Sequence, residues 1–230
     1  MEYPNIKQAV FLSRPNRFIA LVLTDGQEER VHIKNTGRLS ELLTPGRTVY
    51  LCESGNPNRK TRYDLVAVKR GEGFVNIDSM APNAVAPEVI RRIYPDMTLI
   101  KGEVTHGASR FDYYIQSPQR KIFAEIKGCT LERGGVALFP DAPTERGIKH
   151  INGLISALAE GYGALFLIVV QMKGPGVFSP NEETSPDFAE ALRRAEERGV
   201  VIKAVDCLVT PERITPNEFI AVNLQGAKQK

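Results

Sequence analysis

Cysteine is scarce in this chain: Cys52, Cys129 and Cys207 are the only three in 230 residues. They are odd in number and far apart, with no CxxC or Cys/His spacing, which argues against a disulfide framework and a zinc ribbon. A reducing cytoplasm is the expected compartment. Long apolar runs are also missing. The longest, Ala164 to Val170, has the length of a buried strand and falls far short of the ~20 residues that a membrane helix needs. No membrane partner is expected. The opening M-E-Y-P-N-I-K lacks a basic region followed by an apolar stretch, so no secretory leader is expected either. Walker A, GxGxxG and zinc motifs are absent, which leaves a small-molecule enzyme of sugar metabolism without a pocket motif. Neither sign of charge dominates, since 30 Lys+Arg stand against 27 Asp+Glu.

What is present is ordinary in bulk and uneven in detail. The 42% hydrophobic and 25% charged content is that of a globular chain, long enough for one large domain or two small ones. Residues 1–83 carry 12 Lys/Arg and 9 Asp/Glu, whereas the remainder carries 18 of each. The basic excess therefore lies in the N-terminal third, concentrated at Arg14, Arg17, Arg59, Lys60, Arg62, Lys69 and Arg70. Such a patch suits phosphate contact, and it suits a solvated face equally.

The first 83 residues alternate short strands with turn signals. Strands are predicted at Phe18–Thr24, Arg30–Lys34, Thr48–Glu53, Arg62–Lys69 and Phe74–Asp78, separated by Asp25-Gly26, Pro45-Gly46, the turn-rich 55–58 and Gly71-Glu72-Gly73. A short helix fits Leu39–Leu43. Five such strands suggest a small barrel, OB-like in size, although spacing alone leaves an SH3-like barrel open. Ala81-Pro82-Asn83 and Pro87 mark a boundary, after which the pattern becomes α/β. A helix opens at Pro87, and strands follow at Met97–Val104, Phe111–Gln116 and Ile122–Ile126. Thr144 caps a helix that Gly161 closes, and Ala164–Val170 is a buried strand. Ser185 caps a last helix closed by Gly199, and Val200–Val205 ends the core. The polar tail from Gln225 reads as frayed.

Chemistry concentrates in two places. The first is S-R-F-D-Y-Y-I-Q, a turn, and K-I-F-A-E-I-K-G-C (109–129). Glu125 and Lys127 lie two apart on one strand, so both point to the same face. The hairpin brings Asp112 close to them, and Glu103 on the strand before could add a third carboxylate. Two carboxylates with a cation beside them can hold Mg²⁺ or Mn²⁺ against a phosphate ester. An ordinary cross-strand ion pair has the same pattern. The second place is F-P-D-A-P-T-E-R-G-I-K-H (139–150). There Arg146, Lys149 and His150 follow a helix N-terminus and could clamp a phosphate or orient water.

Together with S-R-P-N-R-F (13–18), N-T-G-R-L-S-E-L-L-T-P-G (35–46) and A-P-N-A-V (81–85), these segments resemble the sugar fermentation stimulation protein family. The resemblance implies an OB-like nucleic-acid-binding barrel over 1–83. Over 84–230 it implies a PD-(D/E)xK, restriction-endonuclease-like domain with a mixed sheet and flanking helices. By that resemblance Asp112 and Glu125 are the metal ligands and Lys127 positions water or stabilises phosphate charge. Glu103 is an accessory acid, and Arg146, Lys149 and His150 fill the place of a further helix residue. Phe111 stands where the superfamily name has proline. The family is described as DNA-binding and linked to sugar use, notably maltose.

The leading expectation is a DNA-binding protein with a Mg²⁺- or Mn²⁺-dependent phosphodiesterase site. Arg14, Arg17, Phe18, Arg59, Lys60, Arg62 and Arg146 would grip single- or double-stranded DNA, with Phe18, Tyr50 and Tyr63 as stacking candidates. The alternative is a non-catalytic DNA-binding transcriptional regulator with a relic nuclease fold. A homodimer is left open.

Overall fold

The computed structural model describes residues 1–56 and 58–225, so Pro57 of the expected turn and the tail from 226 lie outside it. The first part is built from β1 (Ile6–Asn16), β2 (Ile19–Thr24), β3 (Gln27–His32), β4 (Thr48–Glu53), β5 (Tyr63–Arg70) and β6 (Gly73–Asn76). Their order is β3-β2-β1-β4-β5-β6, and a bridge between His32 and Asp64 joins β3 to β5. Strands β1 to β5 thus close into an OB-like barrel around Phe11, Val22, Val31, Val49, Leu65 and Val68. The ring differs from the expected five. It includes β1, whose Pro15 and polar end mask the alternation, and β6 is appended outside it.

The helix expected at Leu39–Leu43 is a single turn. Leu42 and Leu43 donate to the Leu39 carbonyl, but Leu39 sits at φ 51°, a left-handed conformation that cannot propagate a helix. Its leucines are buried with the barrel core instead.

The second part comprises α1 (Ala81–Ile93), β7 (Leu99–His106), β8 (Ser109–Gln116), β9 (Lys121–Cys129), β10 (Leu131–Arg133) and β11 (Val136–Phe139). It continues with α2 (Glu145–Ala159), β12 (Gly163–Val170), β13 (Val177–Pro180), α3 (Pro186–Glu197), β14 (Val201–Thr210) and β15 (Arg213–Val222). The nine-stranded sheet runs β10-β11-β13-β15-β14-β12-β9-β8-β7 and is mixed. Strand β12 is parallel to both β9 and β14, while β7, β8 and β9 form an antiparallel meander. Helix α1 packs on one face with Leu165, Leu167 and Val169. Helices α2 and α3 pack on the other with Phe166, Ile168 and Val170. Covered on both faces, β12 reads as a continuous apolar run.

Three sequence-based expectations shift here. Helix α1 begins at Ala81, because Pro82 takes the opening turn and Pro87 falls inside the helix. Ser185 stands at the N-cap position of α3 but makes no capping bond, whereas Thr144 accepts from Gly147 N at 3.0 Å as a cap should. The core does not end at Val205, since β14 runs on and folds back as β15 through Pro211-Glu212.

Two features cross the expected division at residue 83. That residue lies within α1, and the first residues of the chain pair with the second sheet. Tyr3 N donates to Glu212 O at 2.7 Å, and Ile214 N donates to Met1 O at 3.0 Å. A buried polar seam adds to this join. Asn76 donates to the Tyr3 hydroxyl at 2.9 Å, and Gln171 donates to Asn76 Oδ1 at 2.8 Å and to Asp78 O at 3.0 Å.

The barrel's closing seam is ionic. The buried Asp64 carboxylate accepts from Arg59 at 2.7 and 3.0 Å, from His32 at 2.9 Å, and pairs with Lys34 at 3.1 Å. Burial alone would raise this carboxyl, but the bonds from Arg59, His32 and Lys34 outweigh it and hold it at about 2. A depressed carboxyl stabilises the fold above its unfolded value and loses that contribution as pH falls through the folded one. Asp64→Asn should therefore lower unfolding free energy by about 2 kcal/mol at neutral pH, estimated from the size of the shift. Urea unfolding at a series of pH values should show that difference shrinking from pH ~4 toward ~2, where the wild-type group is protonated too. A difference independent of pH would remove the carboxylate as its cause.

Candidate active site at the fork of the sheet

Strands β8 and β9 pair from Gln116↔Lys121 to Tyr113↔Ala124 and no further. Beyond that point β8 stays with β7 and β9 stays with β12. The sheet forks. At the fork Ile126 N donates at 2.8 Å to Asp112 Oδ2, so a side chain replaces the strand partner the backbone has lost. The other oxygen of Asp112 accepts from Asn83 Nδ2 at 3.2 Å.

Asn83 is itself placed by helix chemistry. Pro87 has no N–H to give the carbonyl four residues back, and that carbonyl belongs to Asn83. The Tyr113 hydroxyl donates to it instead, at 2.6 Å. One proline thus links α1 to β8 beside the carboxylate. Nothing in the sequence reading assigned Asn83 or Tyr113 a role; the only signal was the A-P-N-A-V segment.

Glu125 is 1% exposed. Its Oε1 accepts from Lys127 Nζ at 2.5 Å and contacts His150 Nδ1, which α2 delivers. Arg146 Nε donates to His150 Nε2 at 3.4 Å. Lys127 Nζ also lies 3.3 Å from His150 Nδ1, so Lys127, His150 and Glu125 Oε1 form one contact cluster. Burial pushes the Glu125 carboxyl up, but His150 and Lys127 together take it below its usual range. The Asp112 carboxyl is shifted the other way, first by burial and then by the charge of Glu125. The two carboxylates are thus driven apart in acidity by their surroundings.

Two hollows meet at this cluster. One, of about 470 Å³, lies between the barrel segment 35–37, the start of α1, β9 and the 138–147 stretch, and Lys127 and Arg146 line it. The other, of about 400 Å³, is lined by Asp112, Lys149, His150 and again Arg146. Gly128 beside Lys127 has no room for a side chain, since an added Cβ would stand 2.3 Å from Gln171 Oε1 and 2.7 Å from Pro82.

The remaining expected residues fall into two groups. Glu103 lies on the rim at φ 54° and pairs with Arg110 at 2.5 Å in solvent. Arg14 and Arg59 are structural rather than free for phosphate. Arg14 donates to the carbonyls of Gly37, Arg38, Arg17 and Asn35, and Arg59 is held by Asp64. Arg14 is taken up by backbone carbonyls and Arg59 by a carboxylate five residues on, neither of which a composition count can show. Arg17 and Lys60 are exposed, and Arg62 is exposed but paired with Glu53. Of the stacking candidates Phe18 is 49% exposed, while Tyr63 is buried and Tyr50 packs edge-on against Phe74.

Whether a divalent cation fits can be judged from the donors. Glu125 Oε2 is buried with no hydrogen-bond partner, an acceptor lone pair without a donor. The Glu125 charge also pushes the Asp112 carboxyl up, a repulsion that an added cation would relieve. Among the described residues no group of three or more His, Cys, Asp or Glu forms a ready-made cage. The donor set thus suits Mg²⁺, which keeps waters and takes one or two carboxylates plus substrate oxygens.

Fold and site define a chain in which an OB-like barrel precedes a restriction-endonuclease-like domain with an acidic site at its forked sheet. The family model described as the SfsA N-terminal OB domain matches residues 12–77, and that described as the sugar fermentation stimulation protein RE domain matches 80–213. The chain belongs to the sugar fermentation stimulation protein family. It is 51% identical over 225 residues to the homolog from Desulfitobacterium hafniense (strain DSM 10664 / DCB-2), covering 97% of this chain and 99% of that one. It is 47% identical over 226 residues to the homolog from Clostridium beijerinckii, covering 97% and 100%. The solved structure of Pyrococcus furiosus SfsA in complex with Ca²⁺ matches with a TM-score of 0.86 at 33% identity, over 97% and 98% of the two chains.

The Tyr113–Asn83 link yields a test. Tyr113→Phe leaves the Asn83 carbonyl without its donor and should cost about 1 kcal/mol in urea unfolding. In a Pro87→Ala background the helix supplies its own N–H, so the same change should cost markedly less. Equal costs in both backgrounds would mean that the hydroxyl does not substitute for the missing helix bond.

Proposed function

We propose that this chain binds DNA and hydrolyses its phosphodiester bonds with Mg²⁺ or Mn²⁺ at the fork. The observation that carries the reading is the unpartnered, buried Glu125 Oε2 in a cluster where the Glu125 charge acts on Asp112, with Lys127 and His150 on the opposite oxygen. Asp112 and Glu125 would hold the cation, which when bound supplies Lewis acidity toward the phosphate and a lowered pKa for attacking water. The Ca²⁺ in the Pyrococcus furiosus relative supports a cation-binding reading.

The chain's own groups then divide the work. Asp112 is fixed at both oxygens by Ile126 N and Asn83, so its geometry is set before substrate arrives. Lys127 Nζ, only partly exposed, directs positive charge to where charge develops on the phosphate. His150 Nδ1 contacts Glu125 Oε1 from α2 and helps hold the carboxylate in place. Arg146, at the meeting of the two hollows, is placed to contact phosphate. Arg17, Lys60 and Arg62 extend the basic surface over the barrel.

The rival reading is a DNA-binding regulator without catalysis. It is favoured by one observation, that Glu125 Oε1 already has two nitrogen partners and could be a structural ion pair. A link to maltose or other sugar use would follow from either reading through the regulation of genes or DNA. A cytoplasmic setting fits the three free cysteines. No helix among the described residues is long and apolar enough to cross a membrane.

Incubation of the purified protein with plasmid, single-stranded and branched DNA in Mg²⁺ or Mn²⁺ should give cleavage that EDTA stops. Asp112→Asn should abolish cleavage, remove the rise in melting temperature that divalent cation gives wild type, and leave DNA affinity intact or higher. Lys127→Ala should lower cleavage by about 10²–10³-fold while keeping the cation-induced shift. Tight, salt-sensitive DNA binding with no cleavage of any form would favour the regulator.

A further inference from the structure

We infer that the strand entering this site is single-stranded DNA, or a locally unpaired stretch of it; this rests on the phosphodiesterase reading above. Three observations point the same way. The first is recess. Glu125 is 1% exposed, and the side chains of Lys127 and His150 are each 18% exposed, so the phosphate must come down to them. The hollows leading there, about 470 and 400 Å³, fall within the ~300–1,000 Å³ of small-ligand pockets. That space takes a nucleotide unit or two, not two paired strands with their grooves.

The second observation is that the larger hollow is bridged. Its barrel wall, segment 35–38, is joined to its far wall by Arg38 N donating to Asp141 Oδ2 at 2.9 Å. The wall does not swing freely, because four carbonyls around it are held by Arg14 and Asn35 Nδ2 donates to Ile77 O at 3.1 Å. The bridge narrows the entrance to this hollow, which disfavours a rigid duplex more than a flexible single strand.

The third is an apolar rim beside the same wall. Phe18 is 49% and Met80 60% exposed. The Phe18 carbonyl accepts from Ile33 N at 2.8 Å, and Ser79, next to Met80, donates to the Lys34 carbonyl at 2.6 Å. The backbones of Phe18 and Ser79 are thus tied to residues 33 and 34, just before the 35–37 wall, and the Phe18 and Met80 side chains there are exposed. Bare bases offer π-faces to such residues, and paired bases do not. With basic Arg17 beside Phe18, the rim has the mixed stacking and cationic character of a single-strand track.

The test uses the full chain, a fluorescein-labelled oligothymidylate and a blunt duplex of equal length. Binding is read by anisotropy in EDTA, and cleavage in Mg²⁺ or Mn²⁺. The single strand should bind at least about tenfold more tightly and be cut faster. Phe18→Ala should weaken single-strand binding about tenfold with duplex binding unchanged, and Phe18→Tyr should restore it. Duplex bound and cut as well as single strand, or an indifferent Phe18→Ala, would overturn the inference while leaving the phosphodiesterase reading standing. Single-strand binding with no cleavage of either form would overturn that reading and leave the strand preference in place. If neither form is bound nor cut, both fall.

Discussion

The site depends on one bond, the Ile126 N–H to the Asp112 carboxylate. An antiparallel pair that parts company leaves backbone donors unpaired, and an unpaired buried N–H is expensive. Here the parting occurs after Tyr113↔Ala124, and the freed donor of β9 is taken by a side chain of β8. The bond therefore does two things with one carboxylate. It allows the fork to open without an orphaned amide, and it fixes Asp112 next to Glu125. Without it β8 would either continue the ladder and close the site, or leave Asp112 free to turn to solvent.

What holds the fork open is covered on each side by a different helix. Helix α2 brings His150 and Arg146 to Glu125, because residues four apart share a face. Helix α1 brings Asn83 to Asp112, because Pro87 frees the Asn83 carbonyl for Tyr113. The barrel is tied into the same arrangement through Gln171. This residue follows β12, bonds Asn76 and Asp78 of the barrel side, and lies against Gly128 next to Lys127. A larger residue at 128 would push on Gln171 of the barrel seam and on Pro82 of α1 at once.

The parts of this site with a short-range signature are legible in the sequence. Glu125 and Lys127 share a face because strands have a period of two. Asp112 is brought near by a short turn, and Arg146 and His150 are paired by helix periodicity after the Thr144 cap. The parts set by distant pairing are not. Arg14 looks like a phosphate clamp in a charge count, yet its guanidinium is spent on the carbonyls of Arg17, Asn35, Gly37 and Arg38. Strand β15 is broken by Pro216 and polar residues, so its pairing with β14 appears only once a neighbour supplies the ladder. Leu39 shows why a leucine run beside Glu41 fails as a helix: its buried side chain holds the backbone left-handed. Asn83 carries no motif of its own; its role exists only because Pro87 and Tyr113 meet in space.

The neutralised barrel has a consequence for how such a chain could recognise DNA. Long-range attraction follows unpaired surface charge, and here the ion pairs of Arg59 with Asp64, Arg62 with Glu53 and Arg70 with Glu132 offset part of the apparent basic patch. The carboxylates at the fork add local negative charge that repels phosphate until a cation offsets it. Attraction at a distance is therefore weak, and affinity has to arise from contacts made after arrival. Those are stacking on the exposed rim, Arg146 at the junction of the hollows, and charge compensation at Asp112 and Glu125. A chain built this way discriminates by what fits the recess rather than by how much charge a polymer carries. Under the proposed function, the preorganised carboxylates and the partly paired outer face would be two parts of one design, in which a bound cation would couple binding to chemistry.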